Sequence, residues 1–162
     1  MQTIRNDAMT VTIDELGAQL MSITAADGTE YLWNGDPAYW QGRSPNLFPY
    51  VGRLTGGKYA FEGKTYEMTR HGFAKLCRFT PVGAQPDRVT LRITDSEETR
   101  KAYPFAFVYE VIYALEGSTL TVTYAAENKD TRTMYFGMGG HPGFRVPLEE
   151  GKAFTDYRLT FA

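Results

Sequence analysis

The 162-residue sequence has little of what several classes of protein require. Its single cysteine, Cys77, cannot form an internal disulfide, which favours a reducing compartment. Its 17 Lys and Arg do not exceed its 19 Asp and Glu, and they form no basic block of the kind that binds nucleic acid. No run approaches the roughly 18 apolar residues of a membrane span, and the first 15 residues are too charged for a signal peptide. We therefore expect a cytoplasmic protein without a nucleic-acid or membrane partner.

Alternation of apolar and polar residues with a period of two is the main pattern that is present. It is clear in "LTVTYA" (residues 120–125) and "YRLTF" (residues 157–161), and it predicts β-strands. The segment 103–115 is apolar on both faces, which predicts a strand that lies between two layers. Turn sequences at hairpin spacing separate such stretches, namely Asp27-Gly28, Glu62-Gly63, Pro86-Asp87 and Gly117-Ser118. The sequence therefore predicts an all-β protein, an antiparallel β-sandwich.

Only one short segment predicts a helix. In "DSEETRKA" (residues 95–102), Asp95 or Ser96 provides an N-cap, and Pro104 ends the helix soon afterwards. No linker, repeat or charge block divides the chain, so we expect residues 1–162 to belong to a single domain. The strand predicted at 157–161 has no turn or polar tail after it, so we expect this chain to be the N-terminal part of a longer domain. Its unpaired edge predicts self-association through the C-terminal strand.

Three residues are candidates for chemistry because of their settings. His141 and His71 are the only histidines, and each adjoins glycine in a segment typical of a loop, "GGHPGF" and "RHGF". Proline and glycine around His141 fix the backbone and allow another molecule to approach it. Arg53 follows a loop stiffened by Pro45 and Pro49, and its planar guanidinium suits vicinal hydroxyls or a carboxylate. The residue types alone leave structural roles open for all three.

Taken in order, five motifs resemble those of the aldose 1-epimerases, also called galactose mutarotases. They are "NLFPYVGRL", the hairpin "GGKYAFEGKTYEM", "HGFA", "YPFAFVYEVIYALEGSTLTVTYAAEN" and "MGGHPGFRVPL", and the similarity runs through essentially the whole chain. The form "GGHPGF" departs from the best-known galactose enzymes, in which the second histidine follows asparagine and precedes a tyrosine-phenylalanine pair. The resemblance is therefore to a divergent branch of the family, and it does not imply a preference for galactose.

The resemblance implies a galactose mutarotase-like β-supersandwich that interconverts the α and β anomers of an aldose, such as glucose or galactose, without metal or cofactor. Ring opening requires one group to take the proton of the C1 hydroxyl and another to protonate the ring oxygen. By similarity, His141 is the general acid, His71 binds the substrate and assists catalysis, and Arg53 holds sugar hydroxyls. An ordinary histidine pKa of about 6.5 suits proton exchange near neutrality.

No residue of this chain matches the general base of the family. In the family it is a glutamate in the C-terminal half, and no glutamate here matches that motif; the candidates are Glu110, Glu116, Glu127, Glu149 and Glu150. Family members are nearly twice as long, which again predicts that the chain is the N-terminal portion of a longer enzyme. We therefore expect the chain alone to be poorly active or inactive.

Three alternatives remain open on the sequence. A non-catalytic carbohydrate-binding module of the same fold would use an aromatic platform drawn from Trp33, Trp40, Tyr50 and Phe144. A hexose-6-phosphate epimerase-like protein would bind phosphate through Arg43, Arg70 or Lys75. A metal site on the two histidines is disfavoured, because they lie seventy positions apart without a clustered carboxylate or thiol.

Overall fold

The computed structural model describes residues 1–161, which form short antiparallel strands and one short helix. The strands are β1 (Gln2–Arg5), β2 (Met9–Asp14), β3 (Gln19–Ala25), β4 (Asn46–Leu47), β5 (Lys58–Phe61), β6 (Lys64–Glu67), β7 (Thr80–Gln85), β8 (Arg88–Thr94), β9 (Phe107–Glu116), β10 (Thr119–Asn128) and β11 (Gly139–Gly140). The helix is α1 (Glu97–Ala102), and 3₁₀ turns lie at Thr55–Gly57, Ala74–Leu76 and Phe154–Asp156. At six residues, α1 is far too short to cross a bilayer, and no other helix within residues 1–161 could do so.

Two antiparallel sheets account for most of the strands. One has the order β1-β2-β3 and the other the order β10-β9-β8-β7, so consecutive strands pair antiparallel, with α1 in the connection between β8 and β9. The predicted turns at 62–63, 86–87 and 117–118 join paired strands, which confirms the all-β, antiparallel prediction. The turn at 27–28 lies between Thr24 and Glu30, which form only an isolated antiparallel bridge.

The core lies between the two sheets, because each contributes one apolar face to it. Alternate residues of β9 are 0–6% exposed, and they pack in one cluster with buried residues of β1, β2 and β8. The opposite face of β9 is only half-buried and carries Glu110, which forms an ion pair with Arg92 at 2.6 Å. The prediction that segment 103–115 is covered on both sides is therefore wrong for the described residues, since Glu110 remains paired at a solvated face.

The predicted helix is confirmed, with Ser96 as its N-cap. The Ser96 hydroxyl accepts the Thr99 N–H at 3.2 Å, and the Thr99 hydroxyl accepts the Ser96 N–H at 2.8 Å. This reciprocal pair satisfies two backbone donors that a helix start leaves free. Asp95, the other candidate cap, accepts the Phe107 N–H at 3.1 Å instead and so ties the helix start to β9.

The strand predicted at 157–161 is wrong. These residues follow a 3₁₀ turn and pair with no strand in the described part of the chain, and the Leu159 and Phe161 side chains are 67% and 83% exposed. Alternation alone does not make a strand, because a strand also needs a neighbour for its backbone hydrogen bonds. Ala162, the last residue of the predicted edge, lies outside the described residues. The long open edge of the described chain is that of β10, at one end of its sheet.

Candidate functional site

A short stretch of backbone, residues 45–52, brings the two histidines together; we call it the central segment. On one side, β11 pairs with β4, and the His141 N–H donates to the Pro45 carbonyl at 3.1 Å. On the other side, the His71 N–H donates to the Gly52 carbonyl at 2.7 Å. Two residues seventy positions apart in sequence therefore approach through hydrogen bonds to the two ends of one eight-residue segment.

The two imidazoles are close neighbours. Their ring centroids lie 5.7 Å apart with planes at 62°, and the Trp40 ring centroid lies 5.1 Å from that of His141. Both histidines and Trp40 line a cavity of about 260 Å³, which we call the histidine cavity. Its size suits a small ligand such as a monosaccharide, and it offers two acid-base groups beside an aromatic face.

Glycine is needed beside each histidine for a different steric reason. A Cβ on Gly72 would overlap the carbonyl oxygen of Phe48, and the backbone there has φ of +72°, which disfavours other residues. A Cβ on Gly140 would overlap the hydroxyl of Tyr124 on β10. The glycines therefore let the histidine-bearing segments pack tightly against the central segment and β10.

The ring of His71 is held by the backbone opposite it. Its Nδ1 accepts a hydrogen bond from the Gly52 N–H at 3.0 Å, and His71 itself has φ of +69°, which is uncommon for a residue other than glycine. Burial lowers the pKa of His71, and the positive charges of Lys75 and Arg70 and the nearby His141 lower it further. The His71 imidazole is therefore kept neutral near neutral pH.

Positive charge borders the histidine cavity, and carboxylates do not. Arg70 and Lys75 are among its lining residues, whereas no Asp or Glu within residues 1–161 is. The five glutamates considered as general base all lie outside the lining; Glu110 and Glu127 pair with Arg92 and Lys129 at 2.6 Å. The described residues thus provide two imidazoles and two cations in this cavity, but no carboxylate.

Arg53 lies on the exposed loop that follows Gly52, outside the residues that line the histidine cavity. Within residues 1–161 its side chain forms no hydrogen bond or ion pair, so none of these residues holds the guanidinium. The structure thus brings His71 and His141 together and places Arg53 next to the peptide that contacts His71. The roles that the resemblance implies for the three residues remain predictions.

The four residues of the predicted aromatic platform do not form one surface. Only Trp40 lines the histidine cavity, and its carbonyl accepts the Trp33 indole N–H at 2.7 Å. Tyr50 packs against Tyr59 and the core, and Phe144 borders a different cavity. Arg43, one of the predicted phosphate ligands, donates to the Met21 carbonyl at 2.7 Å, so it serves the local structure.

A larger cavity of about 510 Å³ lies between β2, β3 and β10, but its chemistry is poor. It is lined mainly by apolar side chains, and among residues 1–161 the only titratable groups that line it are the Tyr31 and Tyr124 hydroxyls. No group of three or more His, Cys, Asp or Glu within residues 1–161 is arranged to hold a metal ion. The histidine cavity is therefore the better candidate for acid-base chemistry.

Sequence reasoning missed two contributors to the site. Gly52 acts through its backbone N–H, and Gln19 accepts the N–H groups of Arg43 and Ser44 at 3.0 and 3.1 Å at the cavity border. The composition around Gly52 gave no signal, because a main-chain donor is common to almost every residue. Gln19 belongs to β3, and its contact is set by the tertiary fold.

Comparisons with known proteins find similarity along nearly the whole chain. The aldose 1-epimerase family model matches residues 1–161. The plasmid and chromosomal LacX proteins of Lactococcus lactis subsp. lactis are each 36% identical to this chain over 165 residues. The match covers 98% of this chain and 55% of each LacX protein.

Solved structures share the fold. A galactose mutarotase related enzyme from Lactobacillus acidophilus has a TM-score of 0.92 and 39% identity, covering 94% of this chain and 51% of that one. A galactose mutarotase-like protein from Lactobacillus casei ATCC 334 has a TM-score of 0.88 and 37% identity, covering 93% and 51%. The chain spans about half the length of the curated relatives it matches. With a galactose mutarotase-like fold and a family match along nearly its full length, the chain belongs to the aldose 1-epimerase family.

Proposed function

We propose that the chain binds an aldose in the histidine cavity and supplies the general acid for interconversion of its α and β anomers. The observation that carries this proposal is the 5.7 Å approach of the two imidazoles beside Trp40. In the proposed reaction His141 protonates the ring oxygen, while His71 donates a hydrogen bond to the sugar. Arg53, on the adjoining loop, grips sugar hydroxyls when the ligand is bound.

The base is proposed to come from outside the described residues of this chain. Ring opening needs a group that takes the C1 hydroxyl proton, and no carboxylate within residues 1–161 lines the histidine cavity. The chain by itself should therefore bind sugar while exchanging anomers at close to the buffer rate. Its relatives are about twice as long.

Sugar binding can be tested on the two imidazoles directly, since they are the only ones in the chain. Histidine-labelled protein is titrated with glucose and with galactose and followed by NMR, with glycerol as the control. We expect both imidazoles to shift with about millimolar affinity, equivalent to about 4 kcal/mol. Polarimetry on the same samples measures anomer exchange. Absence of any shift at saturating sugar would contradict the proposal, and mutarotation well above the buffer rate would show that a base has been overlooked.

A second candidate function is binding of a phosphorylated hexose, which the positions of Arg70 and Lys75 favour. Both line the same cavity as the histidines, so a sugar phosphate would meet two cations there. The titration is repeated with glucose 6-phosphate, using Lys75→Gln with Lys64→Gln as the matched control on an exposed strand. Tighter binding of the phosphate that only Lys75→Gln weakens would support this candidate. Equal affinities for both sugars would exclude it.

The carbohydrate-binding module is the remaining alternative. It predicts binding without catalysis even when a carboxylate base is supplied, whereas the enzyme proposal predicts that activity appears. The observation against a module is that only Trp40 of the four aromatic residues lines the histidine cavity. Addition of acetate or formate to the polarimetric assay distinguishes the two, because a small carboxylate can enter a site that lacks its base.

We also propose a cytoplasmic location and self-association of the chain. The unpaired, half-buried Cys77 supports the location, and cell fractionation tests it. The surface that supports self-association is the open edge of β10, in place of residues 157–161, and the partner is a second copy of the chain. Charged side chains and proline commonly prevent edge-to-edge pairing, and Thr119–Ala126 in this edge contains neither.

A further inference from the structure

The contact between Gly52 and His71 determines which nitrogen of the imidazole can carry a proton. The Gly52 N–H lies 3.0 Å from His71 Nδ1, and a backbone N–H can only donate. Nδ1 must therefore present its lone pair, and in a neutral ring the proton is on Nε2. If both ring nitrogens were protonated, two N–H groups would face each other across this contact.

A second hydrogen bond closes the same pair of residues into a two-point contact. The His71 N–H donates to the Gly52 carbonyl at 2.7 Å, so each residue both donates to the other and accepts from it. Both residues have positive φ, +82° at Gly52 and +69° at His71, which turns the ring back onto the neighbouring peptide. The orientation of the ring is thus set by main-chain atoms of Gly52, whose positions do not depend on a side-chain rotamer.

The surroundings of His71 favour the same protonation state. The titratable groups around it are Lys75, Arg70 and His141, and none of them carries a negative charge. Since the cavity lining within residues 1–161 holds no carboxylate, no negative charge there favours the protonated form of His71. Nδ1 is engaged by Gly52, so Nε2 is the ring atom that remains for a ligand in the cavity.

We infer that Gly52 is a positioning residue whose N–H holds His71 as a neutral imidazole with its proton on Nε2, so that His71 serves as a fixed hydrogen-bond donor and not as a base. The inference rests on the proposed function for the identity of the ligand oxygen that Nε2–H meets. Within residues 1–161 no hydrogen bond engages the ring of His141, so both of its ring nitrogens remain available to a ligand. The two histidines thereby have separate tasks.

The direct test is NMR on the uniformly ¹⁵N-labelled chain without sugar, so its outcome is independent of binding or activity. We expect a scalar coupling across the hydrogen bond between the Gly52 amide nitrogen and His71 Nδ1. We also expect a single tautomer for His71 with the proton on Nε2. The coupling should disappear on acidification as Nδ1 becomes protonated. A His71 ring that carries its proton on Nδ1 at pH 8, or a missing coupling there, would overturn the inference.

Two variants separate the acceptor from the donor. His71→Asn keeps an oxygen near the position of Nδ1 and tolerates positive φ, but it has no group at Nε2. His71→Gln carries its amide farther out and leaves the Gly52 N–H without its acceptor. We expect the Gly52 amide to stay protected from hydrogen exchange in His71→Asn and to exchange at least tenfold faster in His71→Gln. Equal exchange rates in the two variants would show that Nδ1 does not hold this amide.

Discussion

At the scale of single residues, the charge state of His71 links the site to the stability of the fold. Its folded pKa lies below the ordinary value of 6.5, chiefly because of burial, so the folded state disfavours protonation relative to the unfolded state. The stabilisation from the neutral ring is therefore complete above pH 6.5 and is lost as the pH falls through the folded pKa.

Urea unfolding between pH 8 and 5 measures this effect, with His71→Asn as the variant that cannot titrate. We expect the wild-type chain to lose free energy of unfolding over this interval relative to His71→Asn. The carboxyl groups with lowered pKa values, such as Glu15 and Asp27, titrate below this window and contribute equally to both proteins. Parallel stability curves for the two proteins would show that the His71 pKa is not lowered on folding.

The steric role of Gly72 gives a second residue-scale prediction. Gly63 and Gly72 have nearly the same φ, +74° and +72°, but only Gly72 lies against the Phe48 carbonyl. Gly63→Ala should cost roughly 1–2 kcal/mol, the usual cost of a left-handed backbone for alanine. Gly72→Ala should cost clearly more, because the new methyl group overlaps the main chain. Equal urea midpoints for the two variants would contradict the proposed close packing.

At the scale of elements, β9 offers a matched pair of buried tyrosines. Tyr109 and Tyr113 are both 0% exposed, but the Tyr113 hydroxyl donates to the Ala18 carbonyl at 2.6 Å, whereas that of Tyr109 has no partner within residues 1–161. Tyr113→Phe should lower the free energy of unfolding by about 1 kcal/mol. Tyr109→Phe should be neutral or slightly stabilising, because it removes a buried polar group without a hydrogen bond. Equal losses in urea unfolding would mean that the Tyr109 hydroxyl is satisfied.

Local elements were predictable from sequence, and elements that depend on distant partners were not. The β9–β10 hairpin and the Ser96 cap follow from residues within a few positions of one another, through alternation, a two-residue turn and a hydroxyl before the helix. The strand predicted at 157–161 had the right alternation but lacks a neighbour in the described chain. The pairing of β4 with β11 joins two-residue strands that no periodicity can reveal.

At the scale of the whole molecule, the register of β10 determines which of its backbone groups face the open edge. The Lys129 N–H donates to the Ala106 carbonyl at 2.9 Å, and bonded positions alternate in an antiparallel ladder. Odd-numbered residues therefore face β9, and the even-numbered residues from Leu120 to Ala126 direct their N–H and C=O groups outward. This edge is ten residues long and can pair with another strand.

We accordingly predict concentration-dependent association of the 162-residue chain. Thr121→Lys with Thr123→Lys places positive charge along the exposed side of β10, which should reduce association without touching the core. Thr65→Lys, on the exposed strand β6, is the control and should leave association unchanged. Light scattering on the eluting protein measures the mass. A wild-type chain that remains monomeric at every concentration would show that the β10 edge is protected in solution.

The site was predictable in part, and for reasons that differ by residue. The setting of His71 and His141 among glycines, together with the family motifs, singled out the two residues that the fold places 5.7 Å apart. The contribution of Gly52 comes from its peptide group, which sequence does not distinguish. The assignment of residues 1–162 to one domain and the role of Arg53 stay predictions.

The central segment has an evolutionary consequence. Because residues 45–52 contact both histidine-bearing segments through their own peptide groups, the spacing of the imidazoles does not depend on the length of chain in between. Insertions or deletions in the β5–β6 hairpin, in the turn at 86–87 or around α1 should be tolerated without changing the distance between the two imidazoles. A single-residue deletion within 45–52 would shift one histidine relative to the other by a full peptide. Relatives with this fold should therefore vary in length in those loops and keep the length of residues 45–52 constant.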